Sequence, residues 1–312
     1  MIRLLYINDA QITYTKHDTA ITIGNFDGFH RGHKRLIETI NDLKKSSELK
    51  SLVMSFYPRP ISVIKEIAVK SVFVEEERIE IAESLNVDIL LEYPFTKAFA
   101  QLSGTEFVEV LKKQYNCKQI VVGEGFTFGK NRMWNAKSLA EIAKTFGINV
   151  NVTSHEQIDG CKISSTDIRK YLENGEVENA NHLMGHDYFI LAQVEQIGES
   201  SQNLRFSSVR IVLKEEKLLL KNGVYITKIT LANGEVAPAI TAVRENTMNN
   251  VSQRVVESYI PNVEADICNT KIKVEFKKFI RGELDFNSKK YFFKKIEEDI
   301  FRMNEYGQSF LD

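Results

Sequence analysis

The sequence predicts an α/β fold: a parallel sheet covered by helices, followed by a small antiparallel β-barrel or sandwich closed by a last helix. Three observations carry this expectation. Short β-rich runs alternate with helix-period segments through residues 20–185, the pattern of a parallel sheet covered on both faces. After about residue 186 the texture changes to β-rich segments separated by turn signals, such as Asn-Gly at 222–223 and 233–234. The final stretch, "SKKYFFKKIEEDIFRMN", reads as a helix.

Taken in order, the expected strands of the first half are "TAITIG" (19–24), "SLVMSF" (51–56), "VDILLEY" (87–93), "QIVVGE" (119–124) and "INVNVT" (148–153). Helices lie between them. Leu36, Ile37, Ile40 and Leu43 keep a 3.6-residue period. So do Phe107, Val108 and Leu111, behind a capping box from Ser103 to Glu106, and Leu139, Ile142, Ala143 and Phe146. The second half offers "DYFILAQVEQIG", "NLRFSSVRIVL", "GVYITKITL", "VAPAITAV", "VVESYIP" and "KIKVEFKKFI" as strands. Division into domains of residues 1–186 and 187–312 is expected.

Composition narrows the function classes. With 43% hydrophobic residues in 312, a sizeable core is available. Lys and Arg (41) nearly balance Asp and Glu (42), which argues against a sequence-independent nucleic-acid binder. No apolar run of about 18 residues offers a membrane span. The opening residues lack a long apolar segment and a small-residue cleavage site, so a cytoplasmic protein is expected. Cys117, Cys161 and Cys268 are few and far apart, which suits buried thiols better than disulfides or a zinc site.

Two stretches carry chemistry. In "ITIGNFDGFHRGHKRLI" (21–37) an apolar run ends at Gly24 and a helix begins near His30 and His33, two of only six histidines. A strand-to-helix turn exposes backbone N–H groups at the positive end of a helix dipole, which favours an anion. Three residues apart, the imidazoles share one helix face. Two such donors suit a phosphorus centre whose oxygens gain charge under attack, and Gly32 leaves room for close approach. A metal site with Asp27 as third ligand, or plain surface histidines, are the alternatives. In "CKISSTDIRKYLENGEV" (161–177), Ser164, Ser165 and Thr166 precede a helix carrying Arg169. Hydroxyls, backbone N–H groups and a guanidinium would grip a polyphosphate; ordinary capping with a solvated arginine is the plainer alternative.

Together "GNFDGFHRGH" and "ISSTDIR", about 130 residues apart, resemble the HxGH nucleotidyltransferase superfamily. "VMSFYPRP" (53–60), "VVGEGFTFGKNRMWNAKSL" (121–139) and "ISSTDIRKYLENGEVENANHLMG" (163–185) are similar to the prokaryotic FAD synthetase module. That module precedes a riboflavin kinase domain in a bifunctional enzyme. The resemblance implies a Rossmann-like nucleotidyltransferase domain whose substrates are ATP and FMN, with Mg²⁺ on the phosphates. It implies that His30 and His33 bind the ATP phosphates and stabilise the adenylyl transition state. Ser165, Thr166 and Arg169 would then hold the leaving phosphates, with Arg169 counted among the catalytic residues, and Gly24, Asn25, Phe26, Asp27, Gly32 and Ser164 would contact ATP. Phe56, Pro58, Arg59, Gly125, Phe126 and Phe128 would form the flavin side. Two departures stand out there: Gly125 where the family often has Asn or Asp, and Arg59 where it often has His. The expected partners are small-molecule substrates, with neither nucleic acid nor membrane.

The kinase half departs further. Its family motif is Pro-Thr-Ala-Asn after a glycine-rich strand, with a later glutamate as base. Here "IGESSQNLRFSSVRIVL" (197–213) places Ser207, Ser208, Val209 and Arg210 on that motif. Ser208 could replace the threonine hydroxyl. Arg210 cannot replace an asparagine, because guanidinium has no lone pair for a cation. Glu257 in "VVESYIP" matches the base. The expectation is a retained barrel without riboflavin kinase activity.

Overall fold

A computed structural model describes residues 5–6, 16–45, 47–154, 157–158, 161–196, 206–248, 251–261, 269–282 and 289–305. The chain divides into two compact units, Met1–Val69 with Arg78–Ser164, and Lys70–Glu77 with Ser165–Asp312.

The first unit is built on strands β1 (Leu5–Tyr6), β2 (Thr19–Ile23), β3 (Lys50–Tyr57), β4 (Ile89–Pro94) and β5 (Cys117–Gly123). A short antiparallel pair follows, β6 (Thr127–Phe128) with β7 (Trp134–Asn135), and then β8 (Asn149–Thr153). The main sheet runs β1-β4-β3-β2-β5-β8, with every neighbouring pair parallel. Every residue of β2 is buried, as a central strand covered on both faces requires. Helices α1 (Arg31–Lys45), α2 (Pro60–Lys65), α3 (Glu75–Ser84), α4 (Gly104–Tyr115) and α5 (Ala136–Thr145) connect the strands. All five expected strands are present. The capping box of α4 forms, with Ser103 Oγ accepting from the Glu106 N–H at 3.3 Å and Glu106 Oε2 accepting from the Ser103 N–H at 2.7 Å.

The core gathers Ile21, Leu52, Met54, Phe107, Leu111 and Leu139 around the sheet. Helices α2 and α3 were not legible by period: α3 opens on Glu75, Glu76 and Glu77, and its apolar residues form no single stripe. A two-residue pair, β9 (Gln157–Ile158) and β10 (Cys161–Lys162), is likewise unannounced. Cys117 is a free, buried thiol whose pKa burial pushes up to about 12, so it is an inert core residue. Cys268 and the side chain of Cys161 lie outside the described residues.

The second unit opens with helices α6 (Ser165–Asn174) and α7 (Val177–Met184). Strands β11 (Tyr188–Gln196), β12 (Phe206–Val212), β13 (Gly223–Thr230), β14 (Val236–Met248), β15 (Val251–Pro261) and β16 (Lys271–Arg281) then form a closed barrel in the order β11-β12-β15-β14-β13-β16. Closure removes the exposed sheet edges that a small sandwich would leave. Helix α8 (Lys289–Glu305) packs Ile296 and Met303 on Ile226, Ile240, Ala242 and Tyr259. Only the second Asn-Gly makes a hairpin turn: Leu231 and Glu235 close it, with Gly234 at φ 84°, whereas Gly223 simply starts β13. Residues 70–77 dock on this unit through a fully buried ion pair, Lys217 Nζ to Glu77 Oε2 at 2.5 Å. The same ammonium donates to the carbonyls of Val72 and Phe189 at 2.8 and 2.9 Å.

Candidate active site

The sheet order decides where the first unit can bind a ligand. From β2 the chain moves through β3 and β4 to one side, then returns to place β5 on the other flank of β2. The strand order therefore switches at β2 and β5, and open parallel sheets bind ligands beyond the carboxyl ends at such a point. The loops there are "GNFDGFHRGH" after β2 and "EGFTFG" after β5.

The first loop is fastened to β3. The Gly24 N–H donates to the Met54 carbonyl at 3.1 Å, and Ser55 Oγ donates to the Asn25 carbonyl at 3.1 Å. Glycines are what the sequence offers for a tight loop, yet the positive φ values fall on Phe26 (34°) and Phe29 (44°), both buried. Such backbone is rare for bulky residues and needs its surroundings to hold it. Gly24 serves that packing instead, since a Cβ there would stand 3.2 Å from the Phe26 ring.

Helix α1 begins at Arg31, so His30 is its cap residue. The Lys34 N–H donates to the His30 carbonyl at 2.9 Å, and the His33 N–H donates to His30 Nδ1 at 3.3 Å. An accepting Nδ1 fixes the neutral ring with its proton on Nε2. The two imidazoles stack with centroids 3.6 Å apart and planes 14° apart, on the shared face their spacing predicts. Burial, then His30, then the Arg78 guanidinium hold the His33 pKa well below the usual histidine value. His33 is therefore neutral at pH 7, and its buried Nδ1 has no hydrogen-bond partner.

Arg78 is a contribution that sequence reasoning missed. It hides in the acidic run "EEER" and is buried against Glu92 of β4 at 2.6 Å. The Asp27–Arg59 relation was equally invisible: Asp27, 2% exposed, forms an ion pair with Arg59. That pairing commits Asp27, and among the described residues no three His, Cys, Asp or Glu side chains gather as metal ligands. The metal-site alternative for this loop therefore does not fit its residues.

On the flavin side of the resemblance, Phe56 closes β3 beside Phe95 and Phe99 at 5.6 and 5.9 Å. Gly125 is exposed in a turn closed by the Phe126 N–H on the Gly123 carbonyl at 2.9 Å. Phe126 stacks on Phe128 at 5.6 Å, while Phe128 itself is buried against Phe107 in the core. Pro58 is exposed in the loop after β3.

The other motif opens the second unit. Helix α6 starts at Ser165, with Ser164 just before it and Thr166 exposed in the first turn. Arg169 is partly buried, and its Nη2 donates to the Lys70 carbonyl at 2.6 Å. Burial lowers its pKa to about 10, so it stays charged at neutral pH. This differs from the freely solvated arginine of a plain helix cap.

In the barrel, Arg210 of β12 stands directly opposite Glu257 of β15. Glu257 forms an ion pair with Arg244 of β14 and accepts from the Tyr259 hydroxyl at 3.2 Å. Ser207 and Ser208 lie on β12, their side chains outside the described residues, as is the whole of 197–205, which precedes the motif.

A histidine loop at the switch point of a parallel sheet, joined in one chain to a closed barrel, defines a ligand-binding α/β class with an appended β-barrel domain. Comparison with known proteins makes this specific. A family model described as FAD synthetase matches residues 12–167, and one described as riboflavin kinase matches 184–306. A protein of Buchnera aphidicola named bifunctional riboflavin kinase/FMN adenylyltransferase is 30% identical over 93% of this chain and 93% of its own length. A protein of the same name from Listeria monocytogenes is 28% identical over 92% and 91%. A crystal structure titled as a macrolide-efflux protein from Streptococcus pneumoniae shares the fold, with a TM-score of 0.83 at 24% identity over 95% of this chain and 97% of its own. The chain belongs to the FAD synthetase family of FMN adenylyltransferases. Among the described residues no helix is long and apolar enough to cross a membrane.

Proposed function

We propose that this chain transfers AMP from ATP to FMN, giving FAD and pyrophosphate, and does not phosphorylate riboflavin. The observation that carries the transfer reading is the stacked His30–His33 pair at the start of α1, with its buried, unpartnered Nδ1. An FMN phosphate oxygen attacks the α-phosphorus of ATP; that P–O bond forms as the bond to the β-phosphate oxygen breaks. An ionised phosphate needs no general base at pH 7, so positioning and charge stabilisation do the work. His30 donates from Nε2 to the α-phosphate while its Nδ1 stays committed to the helix cap. His33 meets the same phosphate from the next turn, and the arriving negative charge draws a proton onto it.

The remaining assignments rest on motif positions. Ser164, Ser165, Thr166 and Arg169 serve the leaving pyrophosphate, and Gly24, Asn25, Phe26, Asp27 and Gly32 shape the ATP loop. Phe56, Pro58, Arg59, Gly125 and Phe126 face the flavin, with Phe128 supporting Phe126 from beneath. The donor set offers no protein cage for a metal, so Mg²⁺ enters on the nucleotide as part of the substrate. The functional division falls between residues 186 and 187, in a cytoplasmic protein.

Two features support the loss of kinase turnover. Arg210 stands where the family has a metal-binding asparagine. Glu257, matched to the base, is held by Arg244 and Tyr259. The riboflavin kinase match over 184–306, and the bifunctional names of the relatives, favour the second reading, in which both activities survive. A chromatographic product assay with ATP and Mg²⁺ separates them. FAD from FMN with no FMN or FAD from riboflavin is the expected result; FMN from riboflavin would establish the bifunctional enzyme.

A further inference from the structure

A carboxylate sits inside the loop that the proposed reaction assigns to the ATP phosphates. Asp27 is the only acidic residue of "GNFDGFHRGH" and lies three positions before the helix-capping His30. Its side chain is 2% exposed. Water cannot screen a charge so enclosed, and an unpaired carboxylate there would repel an incoming polyphosphate. Arg59 meets that charge: its guanidinium forms an ion pair with Asp27 and is itself largely buried. A guanidinium stays protonated at any working pH, so this compensation does not titrate away.

Arg59 has a stiff mount. It stands between Pro58 and Pro60, and a residue before proline is confined to extended backbone, here φ −62° and ψ 144°. Its carbonyl accepts from the Ser62 and Val63 N–H groups at 2.9 and 3.3 Å as α2 begins. Links between the β2 loop and the end of β3 climb in step: Gly24 to Met54, Asn25 to Ser55, then Asp27 to Arg59. Of these three, the last carries charge. Phe26, next to Asp27 in the chain, sets its ring 4.6 Å from that of His33. The neutralised carboxylate therefore belongs to the same short loop as the stacked histidines.

We propose that Arg59 is a positioning residue for ATP, acting through Asp27: its ion pair removes a repulsive negative charge from the loop that receives the phosphates. This rests on the reading that the chain transfers AMP from ATP to FMN. The test is steady-state FAD formation by the full-length protein, with ATP and FMN varied in turn and the product identified by chromatography. In Arg59→Gln the KM for ATP should rise about tenfold or more, the scale of a like charge facing a ligand, and by a larger factor than the KM for FMN. Arg59→Lys keeps the charge without the fork and should hold the KM for ATP within about threefold of the parent. The double variant Asp27→Asn with Arg59→Gln removes the stranded carboxylate, and its KM for ATP should be at least about threefold below that of Arg59→Gln. A rise confined to the KM for FMN would make Arg59 a flavin contact and overturn the proposal. So would a double variant no better than Arg59→Gln, since shape rather than charge would then be at issue. Should Arg59→Gln not fold, Arg59→Lys decides, and a loss of about tenfold there overturns the proposal. A parent protein that makes no FAD from FMN would remove the underlying reading, and the proposal with it, before any variant is compared.

Discussion

His30 and His33 do different jobs with the same ring. His30 caps α1 through Nδ1, which leaves Nε2–H as its one outward donor. His33 is kept neutral by burial, His30 and Arg78. In the proposed mechanism each ring stabilises the transition state, and removing one such donor lowers turnover by about 10²–10³. His30→Ala and His33→Ala are each expected to reduce FAD formation from FMN by that factor, measured as kcat with both substrates saturating. Near-normal kcat in either variant would remove that histidine from the chemistry. The depressed pKa of His33 also sets a pH dependence of stability. Between its folded pKa and the usual value of about 6.5 the unfolded chain binds more protons than the folded one. Its contribution is complete above about pH 6.5 and is lost as pH falls toward the folded pKa. Denaturant midpoints taken from pH 7 to pH 5 should therefore fall less in His33→Gln than in the parent protein.

At the scale of elements, the segment 70–77 shows how a buried charge can hold a strap in place. Lys217 is lodged among Glu77, two backbone carbonyls and the faces of Phe73 and Tyr188, at 4.8 and 4.5 Å from their ring centroids. Glu77 in turn accepts from the Val74 and Leu191 N–H groups at 2.9 and 3.1 Å. Replacing Lys217 with Met strands a carboxylate in an apolar setting, and breaking such pairs costs about 3–5 kcal/mol. Urea unfolding should show a loss of that order. The double change Lys217→Met with Glu77→Gln should recover part of it, because an uncharged amide keeps hydrogen bonds without a stranded charge. A loss below about 1 kcal/mol in Lys217→Met, the range of surface pairs, would contradict a buried pair.

At the scale of the whole molecule, two units with separate cores match two family models, FAD synthetase in the first part of the chain and riboflavin kinase in the second. The first unit keeps both histidines at the sheet's switch point. The second keeps its barrel, its α8 contacts and its interior chain of hydroxyls, Thr227 to Thr241 at 2.7 Å and Thr241 to Ser258 at 2.8 Å. On the wall beside Glu257, Arg210 stands opposite the carboxylate and Arg244 pairs with it. If Arg210 alone blocked the kinase, Arg210→Asn would restore riboflavin-dependent ADP formation. On the proposed reading Arg244 also occupies Glu257, so the single change is expected to restore none, which a coupled ADP assay checks.

By itself the sequence determined the class of fold, the histidine loop and the family. Those features are local: a strand period, a capping box at Ser103, a two-histidine spacing, and motifs that keep their residue types in order. Helix α3 was not legible because acidic residues open it and its burial is settled by neighbours far along the chain. The barrel could be told from a sandwich only by closure, a pairing of β11 with β16 about 80 residues apart in sequence. The site's electrostatics were decided by tertiary structure alone. Arg78 beside His33, Arg59 on Asp27, Lys217 on Glu77 and Arg244 on Glu257 each join residues whose separation carries no period or motif. Proximity in a folded chain comes from packing the sheet and barrel, and burial then turns that proximity into shifted pKa values and committed carboxylates.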